Sequence, residues 1–156
     1  MLLYVLVGFS EELFFRGYVM RTLESTGYRK PIIYFVSAIL FSIVHGANPN
    51  VSLIGLLNVG LVGLLFAYMF DITENLWMPI GYHITWNYFQ GAVFGFPVSA
   101  LKLEGLYQTE IIKGKEWLSG GEFGPEAGIL ATLLILANYV FIKFMIKKQR
   151  SVSNTS

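Results

Sequence analysis

Between Lys30 and Lys102 the chain carries no lysine and no arginine. Within that interval the sequence breaks only at short Gly-, Pro- and Asn-containing stretches. The pieces left are helices apolar on nearly every side, a pattern that suits a bilayer or a large buried core. Across the 156 residues, 54% are hydrophobic and 13% charged, whereas a soluble domain has about 25% charged. We therefore expect an all-α, polytopic transmembrane helical bundle. A net charge of +1, with no basic cluster interleaved with stacking aromatics, argues against a nucleic-acid partner. The absence of cysteine removes disulfides, thiolate nucleophiles and Cys-ligated zinc. Catalysis, if present, falls to Glu, His, Asn, Ser or water.

About five membrane helices are expected. The first runs from Leu2 to Leu23 and stops at Gly27; the second opens at Pro31 and ends at His45. The third, capped by Asn50 or Ser52, continues to Phe70 with Gly55, Gly60 and Gly63 along it, small residues that suit close helix packing. The fourth spans Leu76 to Gly95 and carries a Gly91-x-x-x-Gly95 pair; the fifth runs from Ala127 to Ile146. The helical core is thus assigned to 1–95. Residues 96–126, with Lys102, Lys113 and Lys115 against five glutamates, read as a water-exposed or interfacial excursion. Its Leu101, Leu103, Leu106, Tyr107 and Trp117 would lie on the bilayer surface. Residues 127–150 form a last span with a basic end, and 151–156 a disordered tail. Arg21, Arg29 and Lys30 crowd the first connection, so the chain is expected to be integral to a cell membrane, with that loop and the C-terminus on the cytoplasmic side by the positive-inside rule.

Against this background Glu11-Glu12 needs a reason, because ionisable groups inside a bilayer are expensive and mark function by default. A helix that simply begins at Ser10 would also accept acids in its first turn. Arg16 stands one turn beyond Glu12 and can pair with it, leaving Glu11 free. Counted from the inner helix ends at 1.5 Å per residue, Glu11 lies about 18 Å deep, His45 about 21 Å, His83 about 12 Å and Asn87 about 18 Å. Four strongly polar groups from three helices then share one layer, as a site buried within a bundle requires. Singly, His45 reads as an interfacial side chain and His83 with Asn87 as hydrogen-bond glue between helices. Tyr18, Tyr34, Tyr68, Tyr82, Trp77 and Trp86 read as core or interface aromatics.

Together these residues suit water activation. A carboxylate removed from water is a better proton acceptor, and a histidine can position the water or return the proton. His83 and Asn87 can donate to a developing oxyanion, and Phe41, one turn before His45, can floor the space beside its ring. Zinc held by Glu11, His45 and His83 with a water is the competing arrangement, although the H-E-x-x-H spacing is missing. A small transporter or proton relay uses similar residues, but no inverted repeat is present.

Glu11-Glu12-x-x-x-Arg16, Phe41-x-x-x-His45 and His83-x-x-x-Asn87, in that order, resemble the CPBP intramembrane proteases. That family comprises the CAAX prenyl endopeptidases (type II CAAX or Abi proteases) and bacterial relatives in bacteriocin processing and self-immunity. The resemblance covers about Val5 to Gly95. It implies a membrane endopeptidase acting on a peptide or protein substrate, with Glu11 and His45 activating water, Glu12 and Arg16 supporting, and His83 and Asn87 on the oxyanion side. Cofactor use stays open, since both a metalloprotease label and a metal-independent glutamate mechanism attach to the family. A non-catalytic immunity or scaffold protein that keeps the polar motif is the alternative. Family members usually carry further helices before the Glu-Glu motif, so the chain is expected to be either a fragment or a reduced member.

Overall fold

The computed structural model describes the backbone of residues 1–153 and the side chains of residues 1–148. Helices dominate: α1 (Leu2–Glu12), α2 (Arg21–Ser25), α3 (Lys30–His45), α4 (Leu53–Thr73), α5 (Trp77–Asn87), the short α6 (Glu116–Ser119) and α7 (Ile129–Ser153). No strand occurs among the described residues. Two helices, α4 and α7, are long and apolar enough to cross a membrane.

The first helical rod is not one regular α-helix. Between α1 and α2 it widens into a π-helical stretch, Leu13–Met20, and α5 likewise passes into a π-helical stretch, Tyr88–Val93. Such widened turns recur at functional sites, where they re-aim side chains that a 3.6-residue period would point elsewhere. Ser52 caps α4 by accepting from the Gly55 N–H at 3.1 Å, and Glu74 ends it in the left-handed conformation, with Asp71 still inside the helix.

Helix α3 packs along α4, and the closeness of the pair depends on Gly63. A Cβ there would meet the Cα of Ala38 at 3.1 Å, so a larger residue would push the two helices apart. Gly8 serves the contact of α1 with α5, since a Cβ on it would come 2.6 Å from Ile84 Cγ1. Three apolar clusters follow. Phe15, Phe41, Val59, Phe123 and Ala127 form the one nearest the polar groups; Leu65, Phe66, Met69, Ile135 and Ile142 join α4 to α7; Met20, Ile33, Ala67 and Phe70 close the far end.

The segment expected to be a water-exposed excursion is so only in part. Leu106, Tyr107 and Trp117 are exposed, but Phe123 is wholly buried against Phe15 and Phe41, and Ala127 packs beside it. The physical reason is Asn58, in the second turn of α4. Its Nδ2 donates to the backbone oxygens of Glu126 (2.7 Å) and Gly128 (2.9 Å), and its Oδ1 accepts from Thr132 (2.7 Å). A buried amide satisfied this way draws residues 120–128 down onto the bundle. Helix α7 also continues through Ser151–Ser153, where a disordered tail was expected; residues 154–156 lie outside the described residues.

Candidate active site

Adjacent residues on a helix point about 100° apart, and Glu11 and Glu12 accordingly serve different neighbours. Glu12 is fully buried. Arg16 Nη1 donates to Glu12 Oε1 at 3.2 Å, while Nε and Oε2, also 3.2 Å apart, lack the alignment of a hydrogen bond. The Arg16 Nη2 donates across to the Gly63 carbonyl at 2.9 Å, and the guanidinium lies 4.6 Å from the centre of the Phe41 ring and 5.2 Å from that of Phe66. A carboxylate, a carbonyl and two aromatic faces thus compensate this buried cation, with Nε alone left outside the hydrogen bonding.

The same Glu12 Oε1 lies 3.0 Å from His83 Nδ1. A carboxylate paired with arginine can only accept, so we assign the proton to Nδ1 and leave Nε2 facing the other way. At His45 the assignment runs in parallel. Its Nδ1 lies 2.8 Å from the Phe41 carbonyl, which also only accepts, and Nε2 again faces away. The Phe41 ring sits 4.6 Å from the His45 ring, and Phe66 stacks on His83 at 5.3 Å.

Both free Nε2 atoms look toward Glu11. Its Oε2 is buried without a hydrogen-bond partner and lies 3.8 Å from Nε2 of His45 and 3.8 Å from Nε2 of His83. Two atoms at that separation can both be reached by one water about 2.8 Å from each. One turn beyond His83, the buried Asn87 lines the same space, its amide making no hydrogen bond among the described residues. The structure therefore gathers Glu11, His45, His83 and Asn87 around one cavity of about 270 Å³, with Phe41 in its wall. Glu12 and Arg16 lie behind it. Tyr82 and Trp86, read from the sequence as core or interface aromatics, also line this cavity.

Four residues that sequence reasoning passed over also belong to the neighbourhood. Asn58, Ser99 and Glu126 line the cavity. Gln90 Nε2 donates to Glu126 Oε2 at 2.7 Å and to the Pro97 carbonyl at 2.6 Å, and the Ser99 N–H donates to Glu126 Oε1 at 3.2 Å. Burial pushes the Glu126 carboxyl up to about 7, outweighing the bonds from Gln90 and Ser99 that act in the opposite direction. Asn58 carried a signal, as a lone amide inside an apolar run. Glu126 carried none that set it apart from the other acids of its segment.

The three facing acceptors, Glu11 Oε2 and the two Nε2 atoms, are of the types that ligate zinc, and each imidazole has an outer partner on Nδ1. Their spacing is the difficulty. Ligands each about 2.0–2.1 Å from tetrahedral zinc stand about 3.3 Å apart, whereas the carboxylate oxygen here is 3.8 Å from each ring nitrogen. Among the described residues no group of three or more His, Asp and Glu is placed to hold a metal ion.

Compared with known proteins, the chain matches the family model described as type II CAAX prenyl endopeptidase Rce1-like over residues 1–89. No curated protein and no solved structure matches it. The matched span contains Glu11, Glu12, Arg16, His45, His83 and Asn87, and stops short of Gln90, Ser99 and Glu126.

Proposed function

The chain belongs to the type II CAAX prenyl endopeptidase Rce1-like family of membrane-embedded proteases, and on that premise we propose that it is an intramembrane endopeptidase in which Glu11 activates water. The observation that carries this reading is the unpartnered Glu11 Oε2, 3.8 Å from both Nε2 atoms at the edge of a cavity. A water placed there gives one proton to Glu11 and directs the other to His45 Nε2, so that its lone pair is turned toward a peptide carbonyl. As Glu11 takes the proton, the water oxygen bonds to the carbonyl carbon and the carbonyl oxygen becomes an oxyanion.

Asn87 donates its amide N–H to that oxyanion, and His83, once a proton from solvent is added at Nε2, donates beside it while Glu12 accepts from Nδ1. Collapse of the intermediate breaks the C–N bond, and the proton held by Glu11 passes to the departing amine. Arg16 holds Glu12 in place, and Glu12 fixes the angle of the His83 ring through Nδ1. The apolar cavity wall excludes bulk water, which strengthens each of these contacts.

The substrate class is a peptide or protein segment presented at the membrane. Helices α1 with α2, α3, α4, α5 and α7 are read as five spans, with the C-terminus on the cytoplasmic side because an odd number of spans puts the basic first connection (Arg29, Lys30) and the basic end of α7 (Lys143, Lys147, Lys148) on one side. Glu11→Gln tests the reading. Hydrolysis of a membrane-reconstituted peptide should fall at least about 100-fold, the contribution of a positioned general base, with the melting temperature unchanged. Full hydrolysis by a folded Glu11→Gln protein would remove Glu11 from this role and favour a polar network that only holds the helices together.

A further inference from the structure

One part of the wall of the Glu11 cavity is not built from the helices that carry the motif residues. Val98, Ser99 and Leu101 supply part of it, and they belong to a two-residue hairpin turn. Val98 N–H donates to the Leu101 carbonyl and Leu101 N–H to that of Val98, both at 2.9 Å. The central residues Ser99 and Ala100 have φ of +47° and +72°. A turn with positive φ at both central positions is taken without strain by Asn-Gly. Ser-Ala has no such ease, and Ala least of all, since its Cβ crowds the carbonyl and it has no polar group to compensate.

A strained turn persists only where its surroundings over-determine it, and here they can be named. Ala100 N–H donates to the Phe123 carbonyl at 2.7 Å. Ser99 N–H donates to Glu126 Oε1, while Gln90 ties Glu126 Oε2 to the Pro97 carbonyl at the base of the turn. Asn58 then anchors the backbone of Glu126 itself to α4.

We infer that Glu126 is a positioning residue for peptide hydrolysis: by accepting from Ser99 N–H and Gln90 Nε2 it holds the strained 98–101 turn in place as the substrate-facing wall of the Glu11 cavity. This rests on the peptidase reading for its consequence, but on the turn alone for its geometry. The wall offers Val98 and Leu101 to apolar substrate side chains. Losing it weakens substrate binding more than it slows the chemical step.

Two measurements on the same variants test this. In peptide hydrolysis, Glu126→Ala should raise KM about tenfold, the size of one lost hydrogen bond, with kcat held within about twofold. Adding Ala100→Gly, which makes the turn conformation natural to the backbone, should restore most of the lost KM. The chain has no cysteine, so Val98→Cys reports on the wall directly: a water-soluble maleimide should label it slowly, faster with Glu126→Ala, and slowly again when Ala100→Gly is added. If Glu126→Ala does not fold, Gln90→Leu removes the neighbouring amide and is read in the same way. Unchanged KM and labelling in Glu126→Ala, or failure of Ala100→Gly to reverse either, would overturn the assignment. Labelling that responds in a protein that cleaves nothing would sink the peptidase reading and leave the turn assignment standing. An active peptidase whose labelling never responds would sink the turn assignment alone.

Discussion

Arg16→Met measures how far the buried charged pair contributes to stability. Arg16 and Glu12 are both fully buried, and the arginine also satisfies the Gly63 carbonyl at 2.9 Å. Methionine fills similar space but leaves Glu12 as a buried carboxylate whose remaining close partner is His83 Nδ1 at 3.0 Å. Breaking one side of a buried pair costs about 3–5 kcal/mol, because the stranded charge keeps its desolvation penalty. For a chain of this size each kcal/mol moves the midpoint by about 2–4 °C, so a drop of about 10 °C is expected. The assay is thermal unfolding in detergent, followed by tryptophan fluorescence. Glu12→Gln combined with Arg16→Met removes both charges and should recover at least about half of the loss, since neutral partners of similar shape are tolerated where a lone ion is not. A single variant as stable as the parent, or a double variant no better than the single, would refute the claim that the pair is buried and mutually dependent.

Three further outcomes are expected. If Asn87 is the oxyanion donor proposed above, Asn87→Ala should lower kcat by about 10²–10³ with little change in KM; a purely structural Asn87 would change the melting point instead. Glu126 has its carboxyl raised from 4.5 to about 7 in the folded protein. Its contribution to stability is therefore fully present below about 4.5 and is lost as pH rises through 7, by about 3 kcal/mol. The melting temperature of Glu126→Gln should accordingly gain on the parent between pH 5 and pH 8, and parallel curves would contradict this. Because the site as placed does not converge on a metal, peptidase activity should survive chelation, with zinc well below one equivalent in purified protein; loss on chelation reversed by zinc would contradict that.

The helices were legible because their signals are local. Pro31 at a helix start, the Ser52 cap and the uncharged run into Phe70 each act over a few residues, and α3 and α4 begin at or next to those positions. Glu12 and Arg16 were legible as a pair for the same reason, since one helical turn brings them together in the π-widened rod as it does in an α-helix. The widening itself was not foreseen, because it is set by what the rod packs against. Nor was the partner of Glu12 on the far side, His83, which lies 71 residues away in the sequence.

What the sequence determined by itself was the composition of each helix and the presence of ionisable groups where a bilayer penalises them, because hydropathy and helical period are properties of neighbours along a chain. Which group each one meets was decided by tertiary structure. The packing of α1 against α5, and of the π-helical stretch Leu13–Met20 against α3, turns both imidazoles toward Glu11, and the amide of Asn58 helps to bring residues 120–128 down over the bundle. Hydrogen bonds between distant segments depend on distances of a few tenths of an ångström, and nothing in the order of residues records such distances before the chain has folded.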